Sequence, residues 1–153
     1  MIVQEHAGLF EHVLLPSGSE TMKPEKIAPS NVKKVRDTLK SAVREWSKYG
    51  EPEREQPYKP ILEEVESYCK ELGVKPLNTP TGKRVSVLNP GCGMGRLVYE
   101  FARRGFKTQG NEFTYFMLLA SQYILNQAKS AESFLIFPFI HNFHNLKSVE
   151  AAF

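Results

Sequence analysis

The fold of this 153-residue chain is decided by one stretch, Arg84-Val85-Ser86-Val87-Leu88-Asn89-Pro90-Gly91-Cys92-Gly93-Met94-Gly95-Arg96-Leu97. Its apolar residues Val85, Val87 and Leu88 predict a buried strand of a parallel sheet, because such strands are covered on both faces. The glycines that follow predict a tight turn without side chains, where a ligand approaches the backbone. An amphipathic helix is predicted next, near residues 94 to 104, and the free N–H groups at its N-terminus favour a negatively charged group.

The spacing of Gly91, Gly93 and Gly95 separates two cofactor classes. Dinucleotide sites favour G-x-G-x-x-G, with a pyrophosphate over the helix. The tighter G-x-G-x-G spacing is the first motif of S-adenosylmethionine-dependent methyltransferases, and we therefore predict S-adenosylmethionine rather than a dinucleotide. A glycine turn without any ligand is the third alternative. Glu112 follows about twenty residues later, at the end of the next predicted strand, where its carboxylate is placed to accept the hydroxyl hydrogens of a ribose.

Composition limits the class of protein. A net charge of +3 that is dispersed along the chain does not indicate a nucleic-acid partner. Cys69 and Cys92 lie in unrelated elements without metal-ligand spacing, so we predict no metal site. No apolar run approaches about 18 residues and the N-terminus carries no secretory pattern, so we expect no membrane association. We expect an intracellular protein, in the cytoplasm or the nucleus.

The chain before the glycine motif divides into two predicted parts. Residues 1–29 form an irregular N-terminal segment, and residues 30–82 form an N-terminal helical region. A helix is predicted over about 31–48, with Trp46 in the core, Glu45 on the polar face and Gly50 at the C-terminus. A charged connection over 51–57 then leads to a second helix, which begins near Pro60 and ends at Gly73.

Residues 83–153 are predicted to form the first part of a Rossmann-like S-adenosylmethionine-binding domain. A second strand is predicted over 106–110, a long helix over 113–127, and a short strand or buried connection over 134–137. The long helix has apolar residues spaced for burial, namely Phe116, Met117, Ala120, Ile124 and Leu125. The histidines His141 and His144 are interpreted as loop residues rather than catalytic bases. The predicted class is thus α/β, with N-terminal helices and an incomplete Rossmann-like sheet.

Five motifs in order resemble those of the carnosine N-methyltransferase family. They lie between about residues 31 and 148 and comprise Val43-Arg44-Glu45-Trp46-Ser47, Glu53-Arg54-Glu55-Gln56-Pro57-Tyr58-Lys59-Pro60-Ile61, Val87 to Leu97, Gly105 to Leu118, and Phe137-Pro138-Phe139-Ile140-His141-Asn142-Phe143. The resemblance implies methyl transfer from S-adenosylmethionine to an imidazole nitrogen of carnosine, which gives anserine. It implies cofactor contacts by Arg44, Gly91 and Glu112, with Gly93 and Gly95 in the same turn. Where the family has a glutamine three residues before this arginine, the chain has Ser41, which is too short for the same reach.

Family members continue beyond the position equivalent to Phe153, and the residues that hold carnosine belong to that later part. We therefore expect a C-terminally truncated chain with the cofactor half of the site. We expect it not to make anserine by itself, and no catalytic residue is assigned. The alternative hypothesis is a non-enzymatic product or fragment that needs a partner for stability, and a homodimer is left open.

Overall fold

The computed structural model describes residues 29–74, 76, 85–132 and 135–139. These residues form four α-helices and two β-strands, which confirms the predicted mixed α/β class. In chain order the elements are α1 (Pro29–Trp46), α2 (Glu51–Glu71), β1 (Ser86–Pro90), α3 (Arg96–Arg103), β2 (Lys107–Asn111) and α4 (Tyr115–Asn126). The predicted irregular segment up to residue 28, residues 77–84 and the predictions for His141 and His144 lie outside the described residues.

Strands β1 and β2 pair in parallel, as predicted, with Ser86 opposite Lys107 and Pro90 opposite Asn111. Val85 and Val87 pack against the core from one face of β1. Leu88 points to the opposite face and is 60% exposed. The prediction of a buried Leu88 is therefore wrong, because successive side chains alternate between faces and the described elements cover only the face of Val87.

The core lies between α2, α3 and the start of β2. Its buried members are Leu62, Cys69, Phe101 and Phe106. The rings of Phe101 and Phe106 meet edge to face, with their centroids 5.4 Å apart, which is a favoured geometry for aromatic pairs. Ala102, the next residue of α3, is exposed, since it lies about 100° around the helix from Phe101.

Glycine residues end two of the helices, and the one after α2 is the predicted Gly73. Gly73 has φ 65° and follows α2, and Gly105 has φ 89° and follows α3. In each case the glycine N–H bonds to a carbonyl three residues back, and the next N–H bonds to one five residues back. This pair of bonds is the Schellman motif, which requires the left-handed backbone that glycine adopts without strain.

Helix α2 begins about nine residues earlier than predicted, so the predicted charged connection over 51–57 is wrong. Pro57 and Pro60 lie inside the helix, although an internal proline costs about 3 kcal/mol in helix stability. The buried side chain of Arg54 connects the first turn of this helix to α1, because it donates hydrogen bonds to the backbone carbonyls of Ser47 and Arg44, over 2.6 Å and 3.3 Å. The segment that was predicted to be a connection is therefore helical and is held against the end of α1.

Gly50 is the N-cap of α2 rather than the C-terminus of α1, which ends at Trp46. Its φ of −82° is ordinary, so the glycine is required for space and not for its conformation. A Cβ atom at this position would overlap the carbonyl oxygens of Val43 and Arg44. The junction therefore brings the N-terminus of α2 directly against the last turn of α1.

Helix α4 follows β2 and lies against α1. Its buried residues are Ser121 and Tyr123, whereas Leu125, predicted to be buried, is 41% exposed. Beyond α4, residues 135–137 form no strand and Leu135 is 66% exposed. Of the two alternatives predicted over 134–137, the strand is therefore wrong for residues 135–137, and as a connection this segment is only partly buried, since Ile136 and Phe137 are half-buried. Within the described ranges, every helix is too short or too polar to cross a lipid bilayer.

Candidate cofactor site

The glycine turn connects β1 to α3. Gly91, Gly93 and Gly95 have φ values of 62°, 54° and 77°, a region that other residues enter only with strain. The turn is tied to β2, because the N–H of Cys92 donates to the carbonyl of Asn111 over 2.9 Å. The sequence motif therefore forms the predicted strand–turn–helix arrangement.

The three glycines face different surroundings. A Cβ atom at Gly93 would lie 3.3 Å from Oε1 of Glu45, and one at Gly95 would lie 3.2 Å from Cδ1 of Leu125. A Cβ atom at Gly91 would meet no atom within 4 Å among the described residues. Gly91 is therefore the position at which the backbone of the turn is open to a ligand, whereas the other two glycines allow close approach of α1 and α4.

Glu112 follows β2, and its carboxylate is hydrogen-bonded to the glycine turn. Its Oε2 accepts a hydrogen bond from the N–H of Gly93 over 2.9 Å, and its Oε1 accepts one from the N–H of Thr114 over 2.8 Å. These backbone N–H groups, that of Thr114 foremost, lower the pKa of Glu112, because they stabilise the charged form. Each carboxylate oxygen retains a lone pair that can accept a further hydrogen bond.

Arg44 lies in the last turn of α1 with 47% of its side chain exposed. Its Nη2 forms an ion pair with Oε1 of Glu45 over 2.9 Å, and this partner raises the pKa of Arg44. Because the same oxygen lies next to Gly93, the guanidinium is held beside the glycine turn. Ser41 lies about one turn earlier in α1 and is half-buried.

Glu45 was predicted to lie on the polar face of α1, and this prediction is wrong, since the residue is only 2% exposed. Its Oε2 lies 3.4 Å from the backbone nitrogen of Arg96, the first residue of α3. The Arg96 guanidinium in turn donates to the Glu45 carbonyl over 3.1 Å. Helical periodicity missed this contact because it joins residues 51 positions apart in the chain.

Trp46 connects α1 to the glycine turn by a hydrogen bond. Its Nε1–H donates to the carbonyl of Met94 over 3.1 Å, and the Arg96 guanidinium lies 5.1 Å from the centre of its ring. Arg96 is also held by Glu100, whose Oε1 accepts from Nη2 over 2.7 Å. Trp46, which was predicted to lie in the core, is half-buried, and it packs against Tyr99 and Arg96 while its N–H bonds to the turn.

The remaining polar groups at this edge belong to β1 and the turn. Cys92 packs against Gly110, where a Cβ atom would lie 2.7 Å from its sulfur. Burial, followed by the charge of Glu112, raises the pKa of the Cys92 thiol. Asn89 is buried, and its Nδ2 has no hydrogen-bond partner among the described residues. Among all the residues that the structure describes, no three side chains of the metal-ligating types His, Cys, Asp and Glu lie close together.

Comparison with known proteins assigns the family. Residues 21–152 match the family model described as carnosine N-methyltransferase. The chain belongs to the carnosine N-methyltransferase family. It is 43% identical over 114 residues to the carnosine N-methyltransferase of Schizosaccharomyces pombe, covering 74% of this chain and 29% of that protein.

Two further family relatives show similar agreement. The carnosine N-methyltransferase unmet of Drosophila melanogaster is 39% identical over 119 residues, which cover 78% of this chain and 25% of that protein. The carnosine N-methyltransferase of Rattus norvegicus is 38% identical over 124 residues, which cover 78% of this chain and 29% of that protein. The aligned residues thus amount to between a quarter and a third of each of these relatives.

Proposed function

We propose that this chain carries the methyl-donor part of the site of an S-adenosylmethionine-dependent N-methyltransferase that acts on carnosine to give anserine. The observation that carries the proposal is the arrangement of Glu112 and Gly91. Glu112 fixes the glycine turn through the N–H of Gly93, while the backbone of Gly91 faces open space. A turn held in this way offers both a carboxylate and an accessible backbone to one ligand.

The residues present fit the cofactor. The free lone pairs on Glu112 suit the two hydroxyl hydrogens of a ribose, because an ionised carboxylate is an acceptor only. The lowered pKa of Glu112 keeps it ionised at neutral pH. Arg44 keeps donors beyond the one it gives to Glu45, and a guanidinium suits the carboxylate of the methionine portion. In this proposal β1 and β2 are the first strands of a Rossmann-like sheet, and the ligand lies at their carboxyl ends.

The chemistry sets what the protein has to do. When bound, S-adenosylmethionine would supply the methyl group of its sulfonium to a neutral imidazole nitrogen, and S-adenosylhomocysteine would be the leaving group. The described residues of this chain contribute position, since Gly91 and Glu112 would fix where the ligand lies. Alignment of reacting atoms about 3 to 3.5 Å apart is the main requirement of such a step. Carnosine itself enters the proposal through the names of the relatives and not through a contact in the described residues.

The test is calorimetric titration with S-adenosylhomocysteine, the demethylated form of the cofactor. We expect the 153-residue chain to bind it, and we expect Glu112→Ala to weaken binding by about 1 to 3 kcal/mol, the scale for losing hydrogen bonds to a charged group. The matched control is Glu63→Ala, because Glu63 is an exposed acid on α2. Folded protein that gives no binding heat at millimolar ligand, or equal affinity in the two variants, would contradict the proposal.

A further inference from the structure

A carboxylate of the protein lies where dinucleotide sites bind phosphate. In those sites the pyrophosphate lies at the N-terminus of the helix that follows the glycine turn. In this chain Oε2 of Glu45 lies 3.4 Å from the backbone nitrogen of Arg96, at the start of that helix. Its other oxygen lies next to Gly93. Glu45 is thus an internal anion at the N-terminus of α3.

The surroundings of this carboxylate are positively charged. Arg44 contacts Oε1 over 2.9 Å, and the Arg96 guanidinium contacts the backbone carbonyl of Glu45. The N-terminus of a helix adds a partial positive charge of about half an elementary charge. Without the carboxylate, the Arg44 guanidinium would lose its ion-pair partner beside the N-terminus of α3, and a cation next to free backbone N–H groups is the composition of an anion site.

The carboxylate is also difficult to displace. Only 3% of its side chain is exposed, and its helix is fastened by the Trp46 hydrogen bond to Met94. Binding of a phosphate would therefore require either displacement of α1 or two negative charges within a few ångströms of each other, and both are unfavourable.

We propose that Glu45 is a specificity-determining residue, which excludes phosphate-bearing ligands from the glycine turn by filling the anion position at the start of α3. The inference rests on the proposed function, since it concerns the same turn. S-adenosylmethionine contains no phosphate, and its one carboxylate is proposed to bind the exposed donors of Arg44 rather than the backbone N–H groups at the start of α3, so it does not compete with Glu45 for this position. The glycine turn is thereby restricted to a nucleoside ligand that lacks a pyrophosphate.

The experiment compares inorganic pyrophosphate binding by the wild-type chain, Glu45→Ala, Glu45→Gln and Glu45→Asp, by calorimetry at constant ionic strength. Glu45→Ala removes charge and volume, Glu45→Gln removes charge alone, and Glu45→Asp is the control that keeps the charge. We expect Glu45→Ala to bind pyrophosphate at least about tenfold more tightly than the wild type. Glu45→Gln should lie between them, and Glu45→Asp should remain close to the wild type. Variants with native circular dichroism that bind pyrophosphate no better than the wild type would overturn the proposal.

A second measurement covers the case in which Glu45→Ala does not fold. A ligand that binds only the native state raises the melting temperature with its concentration. Pyrophosphate should therefore raise the melting temperature of Glu45→Gln more than that of the wild type, and equal shifts would overturn the proposal. S-adenosylhomocysteine is titrated into the same wild-type sample. Absence of that binding would contradict the proposed function, whereas the pyrophosphate comparison among variants would still decide the role of Glu45.

Discussion

Two carboxylates hold the same glycine turn, and they do so under different conditions. Glu112 comes from the β2 side, is half-buried and keeps lone pairs beyond its two backbone hydrogen bonds. Glu45 comes from the α1 side, is buried and is surrounded by Arg44 and the start of α3. Glu112 thus keeps hydrogen-bond acceptors for a ligand, whereas the Glu45 carboxylate is enclosed by the protein. The turn is therefore open on the β2 side, and the α1 side determines its shape and charge.

The packing of α1 is most strongly disturbed by a substitution at its junction with α2. We expect Gly50→Ala to lower the free energy of unfolding by about 3 kcal/mol, because its Cβ would overlap the carbonyl oxygens of Val43 and Arg44 and an overpacked site has to shift backbone. Urea denaturation measures the change. Gly73→Ala is the reference for a Cβ added without overlap, since it would meet nothing within 4 Å among the described residues and costs only backbone strain at φ 65°, about 1 kcal/mol. A loss in Gly50→Ala no larger than that in Gly73→Ala would mean that the junction is not tightly packed.

The β2 side is weakened by removing Glu112. We expect Glu112→Ala to lower the free energy of unfolding by about 1.5 kcal/mol at pH 7, because two backbone N–H groups lose a charged acceptor that is partly exposed to water. This contribution also depends on pH. The folded-state pKa lies below the usual value of 4.5, so the stabilisation is fully present above that value and is lost as the pH falls through the folded-state pKa.

Urea denaturation of the wild type and Glu112→Ala at a series of pH values checks this dependence. The difference in stability between the two proteins should be constant near neutral pH and should narrow below about pH 4.5. Glu63→Ala provides the background, because an exposed acid whose nearest cation lies 4.0 Å away contributes little. A difference that does not change with pH would show that the Glu112 charge does not hold the turn.

The two sides also differ in how much of them the sequence predicts. The strand, turn and helix around Gly91 are correctly predicted, because glycine spacing and apolar periodicity act over a few neighbouring residues. The burial of Glu45 is missed, because its partner Arg96 lies 51 positions away and helical periodicity places it among polar residues. The early start of α2 is missed for another reason, because prolines indicate a break in a helix, whereas α2 continues through Pro57 and Pro60.

Whether a site residue can be predicted depends likewise on whether its contacts are local in the sequence or join distant elements. Gly91 and Glu112 come from one contiguous unit, so the sequence indicates that they lie near each other. Arg44 comes from a separate helix, and only the family resemblance connects it with the turn. The structure brings it there through Glu45 and the Trp46 hydrogen bond to Met94. Contacts between distant elements therefore supply the part of the site that local patterns do not predict.

The central claim is that a cofactor approaches the backbone at Gly91, and a pair of alanine variants tests it most directly. Gly91 and Gly73 have similar φ values, 62° and 65°, and a Cβ atom at either would meet nothing within 4 Å among the described residues. Both substitutions should therefore cost a similar stability, about 1 kcal/mol, through backbone strain. S-adenosylhomocysteine affinity, measured by calorimetry, should fall about fivefold in Gly91→Ala alone. Equal affinities in the two variants would contradict the claim.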